Sequence, residues 1–200
     1  MTRVIAGEAG GRRLAVPGGL STRPTSDRGR EGLFAALTSA VGSLAGTRVL
    51  DLYAGSGAVG LEALSRGAAH VLMVESGARA VGVIRANIAA VGLPGAQVAA
   101  DRVERVLTRA PAEPYDIAFA DPPYALADAA VTRVLGLLLT GGWLAPDALV
   151  VVERATRSGA VGWPSGYLPE KARRYGEATF WYGRPAGADA AAGPAAHEEG

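Results

Sequence analysis

The sequence predicts a doubly wound α/β domain, and three observations carry the prediction. Short apolar runs recur through the middle of the chain, amphipathic stretches of helical length separate them, and glycines stand where those stretches end. At the N-terminus, VIAGEAGGRRLAV (4–16) reads as a hairpin turned at Gly10-Gly11, followed by an Arg- and Pro-bearing loop, STRPTSDRGR (21–30). A helix over 27–41 comes next, with Leu33, Phe34, Leu37 and Val41 on one face. Strands are then expected at 48–53, 70–75, 96–100, 115–120 and 148–153, and helices near 58–66, 78–91, 103–109 and 127–139. Such strands are apolar without alternation, as in a parallel sheet covered on both faces, because a parallel pair needs a crossover. Gly67, Gly92 and Gly141-Gly142 occupy helix ends that favour a residue tolerant of left-handed geometry. ARRYGEATFWYGR (172–184) reads as a hairpin adding antiparallel strands at one edge, for a seven-stranded, mostly parallel sheet with an N-terminal hairpin and helix extension. The expected organisation is a hairpin and loop over 1–30, the α/β domain over 31–184, and a disordered Ala/Gly/Pro/Glu tail over 185–200.

The 200 residues, 49% of them apolar, suffice for one domain with a proper core. No apolar run reaches the roughly 18 residues of a membrane span, and the N-terminus lacks the apolar centre of a secretory signal, so a cytoplasmic protein is expected. Zero cysteines exclude disulfides, thiolate metal sites and a catalytic thiol, and with two histidines no metal site is expected. The net charge of +1 conceals a pattern of +4 over residues 1–30, −4 over 31–153, +4 over 154–184 and −3 over 185–200. Two basic flanks around an acidic middle suit an anionic polymer held by the flanks.

After the first long strand comes Asp51-Leu-Tyr-Ala-Gly55-Ser-Gly57-Ala-Val-Gly60, a G-x-G-x-x-G match between strand and helix, with Glu75 ending the next strand. The pattern makes the fold Rossmann-like. Small residues let the backbone approach a nucleotide, and Glu75 can accept hydrogen bonds from both ribose hydroxyls. NAD and S-adenosylmethionine both satisfy these features. Asp51 favours the second, because a carboxylate ahead of the glycines repels a pyrophosphate and attracts a ligand carrying ammonium and sulfonium charge. Asp101, at the end of the third parallel strand, is placed to receive an adenine amino group, although such an acid is also a common helix cap. With Tyr53, Ser56 and Ser76, the expected donor-binding set is Asp51, Gly55, Gly57, Glu75 and Asp101.

Asp121-Pro122-Pro123-Tyr124 stands at the end of the fourth parallel strand, beside the first if the order is the usual doubly wound one. An exocyclic amino group of a base is a poor nucleophile, its lone pair delocalised into the ring, until acceptors hold its hydrogens. Asp121 and the Pro122 carbonyl are candidate acceptors. The two prolines stiffen the turn, and Tyr124 offers a face for an extruded base. A strand-ending turn with a packed Tyr is the alternative. Without a thiolate to add to a pyrimidine ring, attack by an amine is favoured over attack by a ring carbon.

RVIAGEAGGRRL, TRPTSDRGREGLFAAL, VLDLYAGSGAVGLEALSRGAAHVLMVE, DIAFADPPY and RRYGEATFWYG together resemble the RsmD family of 16S ribosomal RNA guanine-N2 methyltransferases, up to about residue 184. The resemblance implies a class I S-adenosylmethionine-dependent methyltransferase fold, S-adenosylmethionine as donor, and Asp121, Pro122, Pro123 and Tyr124 at the reacting base. It also implies an active-site rim containing Arg23, Thr25, Asp27, Arg28, Arg30 and Glu31. Gly29 departs from the bulkier aliphatic associated with its position. The expected partner is 16S rRNA or an assembling 30S subunit, no membrane is involved, and the chain is expected to act as a monomer.

Other readings are a DNA adenine-N6 methyltransferase, for which 200 residues leave little room for target recognition, and a glutamine-methylating enzyme, which would favour Asn at 121. An NAD-dependent oxidoreductase rests on the glycine loop alone, and a non-catalytic RNA-binding module leaves DPPY without a task.

Overall fold

The computed structural model describes residues 2–18 and 27–187. Strands β1 (Thr2–Arg3) and β2 (Arg13–Leu14) pair antiparallel, and α1 (Asp27–Val41) follows. The chain continues through β3 (Arg48–Leu52), α2 (Ala58–Ser65), β4 (His70–Val74), α3 (Ala78–Val91) and β5 (Ala96–Ala99). It then forms α4 (Val103–Leu107), β6 (Tyr115–Ala120), α5 (Asp128–Thr140) and β7 (Leu144–Ala155). After a 3-10 turn (Thr156–Ser158) come β8 (Tyr167–Pro169), β9 (Arg173–Tyr175) and β10 (Ala178–Pro185).

The main sheet has the order β5-β4-β3-β6-β7-β10-β8, with β9 also paired to β10. Strands β5 to β7 run parallel and β10 antiparallel. The chain winds outward from β3 to β5, then returns to place β6 on the other side of β3. That reversal puts the ends of β3 and β6 at the topological switch point, where open α/β sheets bind ligands. The sheet has eight strands where seven are predicted: the addition is β8, three residues ending in a proline, too short to carry an alternation signal. The N-terminal hairpin is also smaller than predicted. Its backbone groups go to α2 instead, with Ile5 and Ala6 N–H donating to the Glu62 carboxylate (2.6 and 3.0 Å) and Ala9 N–H to Ser65 Oγ (2.9 Å). Glu62, fully buried, also receives Arg66 Nε at 2.7 Å. Of the predicted tail over 185–200, Pro185 instead ends β10, and residues 188–200 lie outside the described residues.

Both faces of the sheet are covered. On one, Leu33, Phe34, Leu61 and Ile84 from α1, α2 and α3 pack with Val49, Val71 and Phe119, and the N-terminal Val4 and Leu14 join the same core. On the other, Val106, Val134 and Leu138 from α4 and α5 pack with Leu50, Leu52 and Val150. Neighbouring residues of one strand thus serve opposite cores, which is why these strands are apolar throughout.

The β9–β10 hairpin is held against α1 at Gly32, where a Cβ would lie 2.2 Å from a Tyr175 ring carbon. Tyr175 in turn packs on Phe180 at 5.3 Å between ring centroids. Gly32→Ala is therefore expected to destabilise the protein by about 1–3 kcal/mol, read as a lower urea midpoint. An unchanged midpoint would show that Tyr175 is free to move aside.

Candidate active site

Strand β3 delivers the glycine loop. Tyr53 follows it with φ +61°, an uncommon left-handed conformation for a residue with a Cβ. Gly57 has φ +75°, and a Cβ there would come within 2.9 Å of Met73 Sδ, so the loop lies against β4 as only glycine allows. Glu75, at the end of β4, accepts Gly55 N–H through Oε2 (2.9 Å) and Gly77 N–H through Oε1 (2.7 Å). Its two oxygens keep further lone pairs for a ligand.

Asp51 is 1% exposed and accepts the Gly60 N–H in the first turn of α2 (2.9 Å). It therefore does cap the following helix, and it also borders a cavity. Burial pushes its pKa up to about 7, with the Gly60 hydrogen bond opposing and the Glu75 charge adding to the rise.

From β6, Asp121 N–H points to the Leu52 carbonyl at 3.4 Å, tying the start of DPPY to β3. The Pro123 carbonyl accepts Leu126 N–H (2.8 Å), which closes the turn, and no hydrogen bond among the described residues engages the Pro122 carbonyl. Arg154, buried at the end of β7, donates through Nη2 to the Leu126 carbonyl (3.0 Å) and to Asp128 (2.9 Å), pinning the far side of the turn. Burial raises the Asp121 pKa well above the ordinary carboxylate range. The charges of Glu153 and Asp51 add to the rise, and Arg154 opposes it. Tyr124 remains 43% exposed at the mouth.

These groups meet around one cavity of about 510 Å³. Asp51, Tyr53, Gly55, Ser56, Glu75 and Ser76 line one side of it, and Asp121, Pro122, Pro123 and Tyr124 line the other. Two separate motifs, one after β3 and one after β6, thus share one space.

The family described as "Conserved hypothetical protein 95" matches residues 2–184. The chain belongs to it. Ribosomal RNA small subunit methyltransferase D of Escherichia coli K12 is 33% identical over 178 residues, 89% of this chain and 87% of that protein. The Haemophilus influenzae protein of the same name is 34% identical over 156 residues, 76% of this chain and 77% of that protein. Among solved structures, yhhF of Escherichia coli aligns with a TM-score of 0.80 at 31% identity, over 92% of this chain and 97% of that one. A hypothetical protein of Thermus thermophilus gives 0.76 at 36%, over 91% and 98%. The fold is that of the Rossmann-like class I methyltransferases.

The other residues expected at the site are distributed unevenly. Asp101 is not among the cavity-lining residues: it accepts Arg102 N–H (2.8 Å) and faces Arg105 and Arg109 at 3.5 and 3.8 Å. The i+4 arginine on α4 is the local signal for that arrangement. Arg23 and Thr25 lie outside the described residues. Asp27 and Arg28 are exposed in the first turn of α1, whereas Arg30 is buried and lines the cavity.

Sequence reasoning missed a further part of the cavity wall, Val16-Pro17-Gly18. Arg79 Nη1 holds the Gly18 carbonyl (3.0 Å). Buried Asn87 pairs with both backbone groups of Ala15 (2.8 and 3.0 Å) and donates to the Ser56 carbonyl (2.9 Å), joining this wall to the glycine loop. The available signal was an amide on the apolar face of α3, one turn after Ile84.

Proposed function

We propose that the protein transfers a methyl group from S-adenosylmethionine to the exocyclic N2 of a guanine in 16S ribosomal RNA. The observation that carries this reading is the single cavity shared by the glycine loop and DPPY. Family membership and relatives named ribosomal RNA small subunit methyltransferase D support the ribosomal RNA substrate.

The donor set fits S-adenosylmethionine better than a dinucleotide. The cavity volume lies in the usual range for cofactor sites. Glu75 already occupies Gly55 N–H, the loop donor a pyrophosphate would use, and Asp51 adds a second acid behind the loop. Glu75 offers its free lone pairs to ribose hydroxyls, and Asp51 offers charge to an ammonium. S-adenosylmethionine supplies an electrophilic methyl carried on sulfonium.

On the acceptor side, Asp121 accepts one hydrogen of the exocyclic amine and the Pro122 carbonyl accepts the other, which localises the lone pair on nitrogen. The raised pKa makes the Asp121 carboxylate a stronger base than an exposed one, suited to take the proton that the amine sheds. Tyr124 presents its exposed ring to the extruded base. Alignment supplies the rest of the rate. Arg28, exposed in the first turn of α1, and the basic flank over 154–184 suit the RNA backbone.

The reading is tested by mass mapping and primer extension of 16S rRNA from a strain lacking this protein, with and without the gene restored. One guanine should lose and regain an N2 methyl group. A missing methyl on adenine in DNA, with rRNA unchanged, would overturn the reading. On the donor side, Glu75→Ala is expected to weaken S-adenosylmethionine binding about tenfold to a hundredfold, as for lost hydrogen bonds to a charged group, measured by calorimetry. An unchanged dissociation constant would remove Glu75 from the donor site.

A further inference from the structure

Arg30 is the largest of the fully buried side chains, 1% exposed, and it lines the cavity from α1. Among the described residues only one of its nitrogens finds partners. Nη2 donates to Thr2 Oγ1 (2.8 Å), the Arg3 carbonyl (2.8 Å) and Asp27 Oδ1 (2.7 Å). Nε and Nη1 are buried without a hydrogen-bond partner among the described residues. A guanidinium carries five N–H bonds, and the three on Nε and Nη1 thus lack an acceptor. Burying donors in that state is costly unless something else supplies oxygen atoms. Asp27 leaves the arginine's charge only partly offset, since its carboxylate is 53% exposed and meets Nη2 alone.

The remaining charges around the cavity show what is missing. Among the described residues that line it, the ionisable carboxyl groups are Asp51, Glu75 and Asp121, and the second cation, Arg79, is exposed and engaged with the Gly18 carbonyl. The proposed donor carries two cationic groups and one carboxylate. The acids serve the cations and the ribose, and a buried cation with idle donors is the complement of the carboxylate.

We infer that Arg30 is the receptor for the donor's α-carboxylate, taking its oxygens on the Nε and Nη1 hydrogens that the described residues leave without an acceptor. The inference rests on S-adenosylmethionine being the donor. It moves Arg30 from the RNA-facing rim, where the family resemblance puts it, to the inner wall of the donor cavity. The other oxyanion of the same chemistry is an RNA phosphate, but Arg30 lines the inner cavity rather than an outer surface. A small end group already inside the cavity reaches them more readily than a polymer backbone does.

The test compares S-adenosylmethionine with decarboxylated S-adenosylmethionine, which keeps both cations and lacks only the carboxylate. Calorimetry on the wild-type protein should give about tenfold or more in favour of the carboxylate-bearing donor, as expected for a charge-assisted hydrogen bond. In Arg30→Gln that ratio should fall to about one, and Arg30→Lys should recover part of it. Wild-type protein that binds neither ligand would refute the donor reading. Protein that binds both equally would overturn the Arg30 assignment alone, without need of any variant. A folded Arg30→Gln that keeps the full ratio also overturns it. If that variant instead loses affinity for an rRNA fragment, with a shallower salt dependence, Arg30 is a phosphate contact.

Discussion

Asp121→Ala is expected to lower methyl transfer by about 10²–10⁴-fold, the range for loss of a positioned acid–base group, while S-adenosylmethionine still binds. The argument follows from where Asp121 sits. It belongs to the β6 end, across the cavity from the glycine loop and Glu75, so its removal leaves the donor contacts in place. The Asp51 charge is one of those that disfavour ionisation of Asp121. Asp121→Asn is the sharper variant. Its amide oxygen can still accept one hydrogen of the target amine, yet it cannot take the proton that amine must shed. Transfer by Asp121→Asn should therefore remain far below wild type. Single-turnover transfer of a labelled methyl group, together with calorimetry for the donor, separates the two steps. Transfer within threefold of wild type in both variants would leave Asp121 as no more than a strand terminus.

The sequence carried this site unequally, and the differences have physical causes. Elements of several turns were legible: α1 and α3 begin and end where the apolar period and the glycines indicate, and β6 spans the residues the pattern predicts. The glycine loop and DPPY were legible as motifs because each is local. Their meeting in one cavity needed the order β3 beside β6, which the usual winding of such sheets supplies. What local pattern does not carry is which distant group a side chain will find. Glu62 reads as one acid on a helix, and it anchors the N-terminal hairpin through backbone groups more than fifty positions away. Arg30 reads as one more arginine of a basic flank, and it is buried because α1 turns it inward against Thr2 and Arg3. Asp101 sits elsewhere than its position in the sequence suggests. Its position after a strand suggested a ligand contact, and its carboxylate instead faces Arg105 of α4 and Arg109 just beyond it.

Asp51→Asn is expected to make the ligand-free protein more stable at pH 8 and to weaken the donor. In the folded chain the Asp51 pKa lies at about 7, against an ordinary value of 3.8. A folded pKa raised above the unfolded one means that the native state holds the proton more tightly. The stability this contributes is complete below about pH 4 and is lost as pH rises through about 7. Over that window the loss amounts to roughly 4 kcal/mol, at about 1.4 kcal/mol for each pH unit that separates the folded and unfolded values. Asparagine keeps an oxygen for the Gly60 N–H and never ionises, so the variant should lose part of the fall in melting temperature between pH 5 and pH 8. Asp121 is shifted in the same direction, so the slope shrinks in the single variant and flattens further in Asp51→Asn/Asp121→Asn. The donor reads the same proton with the opposite sign. A ligand with ammonium and sulfonium charge favours the ionised carboxylate, so wild-type affinity should rise as pH passes through about 7 and binding should release a proton near neutrality. Calorimetry in two buffers of different ionisation enthalpy measures that proton directly. Wild-type affinity flat from pH 5.5 to 8, or an Asp51→Asn protein that keeps the whole slope, would show that Asp51 does no more than cap α2. The cost of an acid buried where it resists ionisation then has a use: the cation that binds there restores its charge.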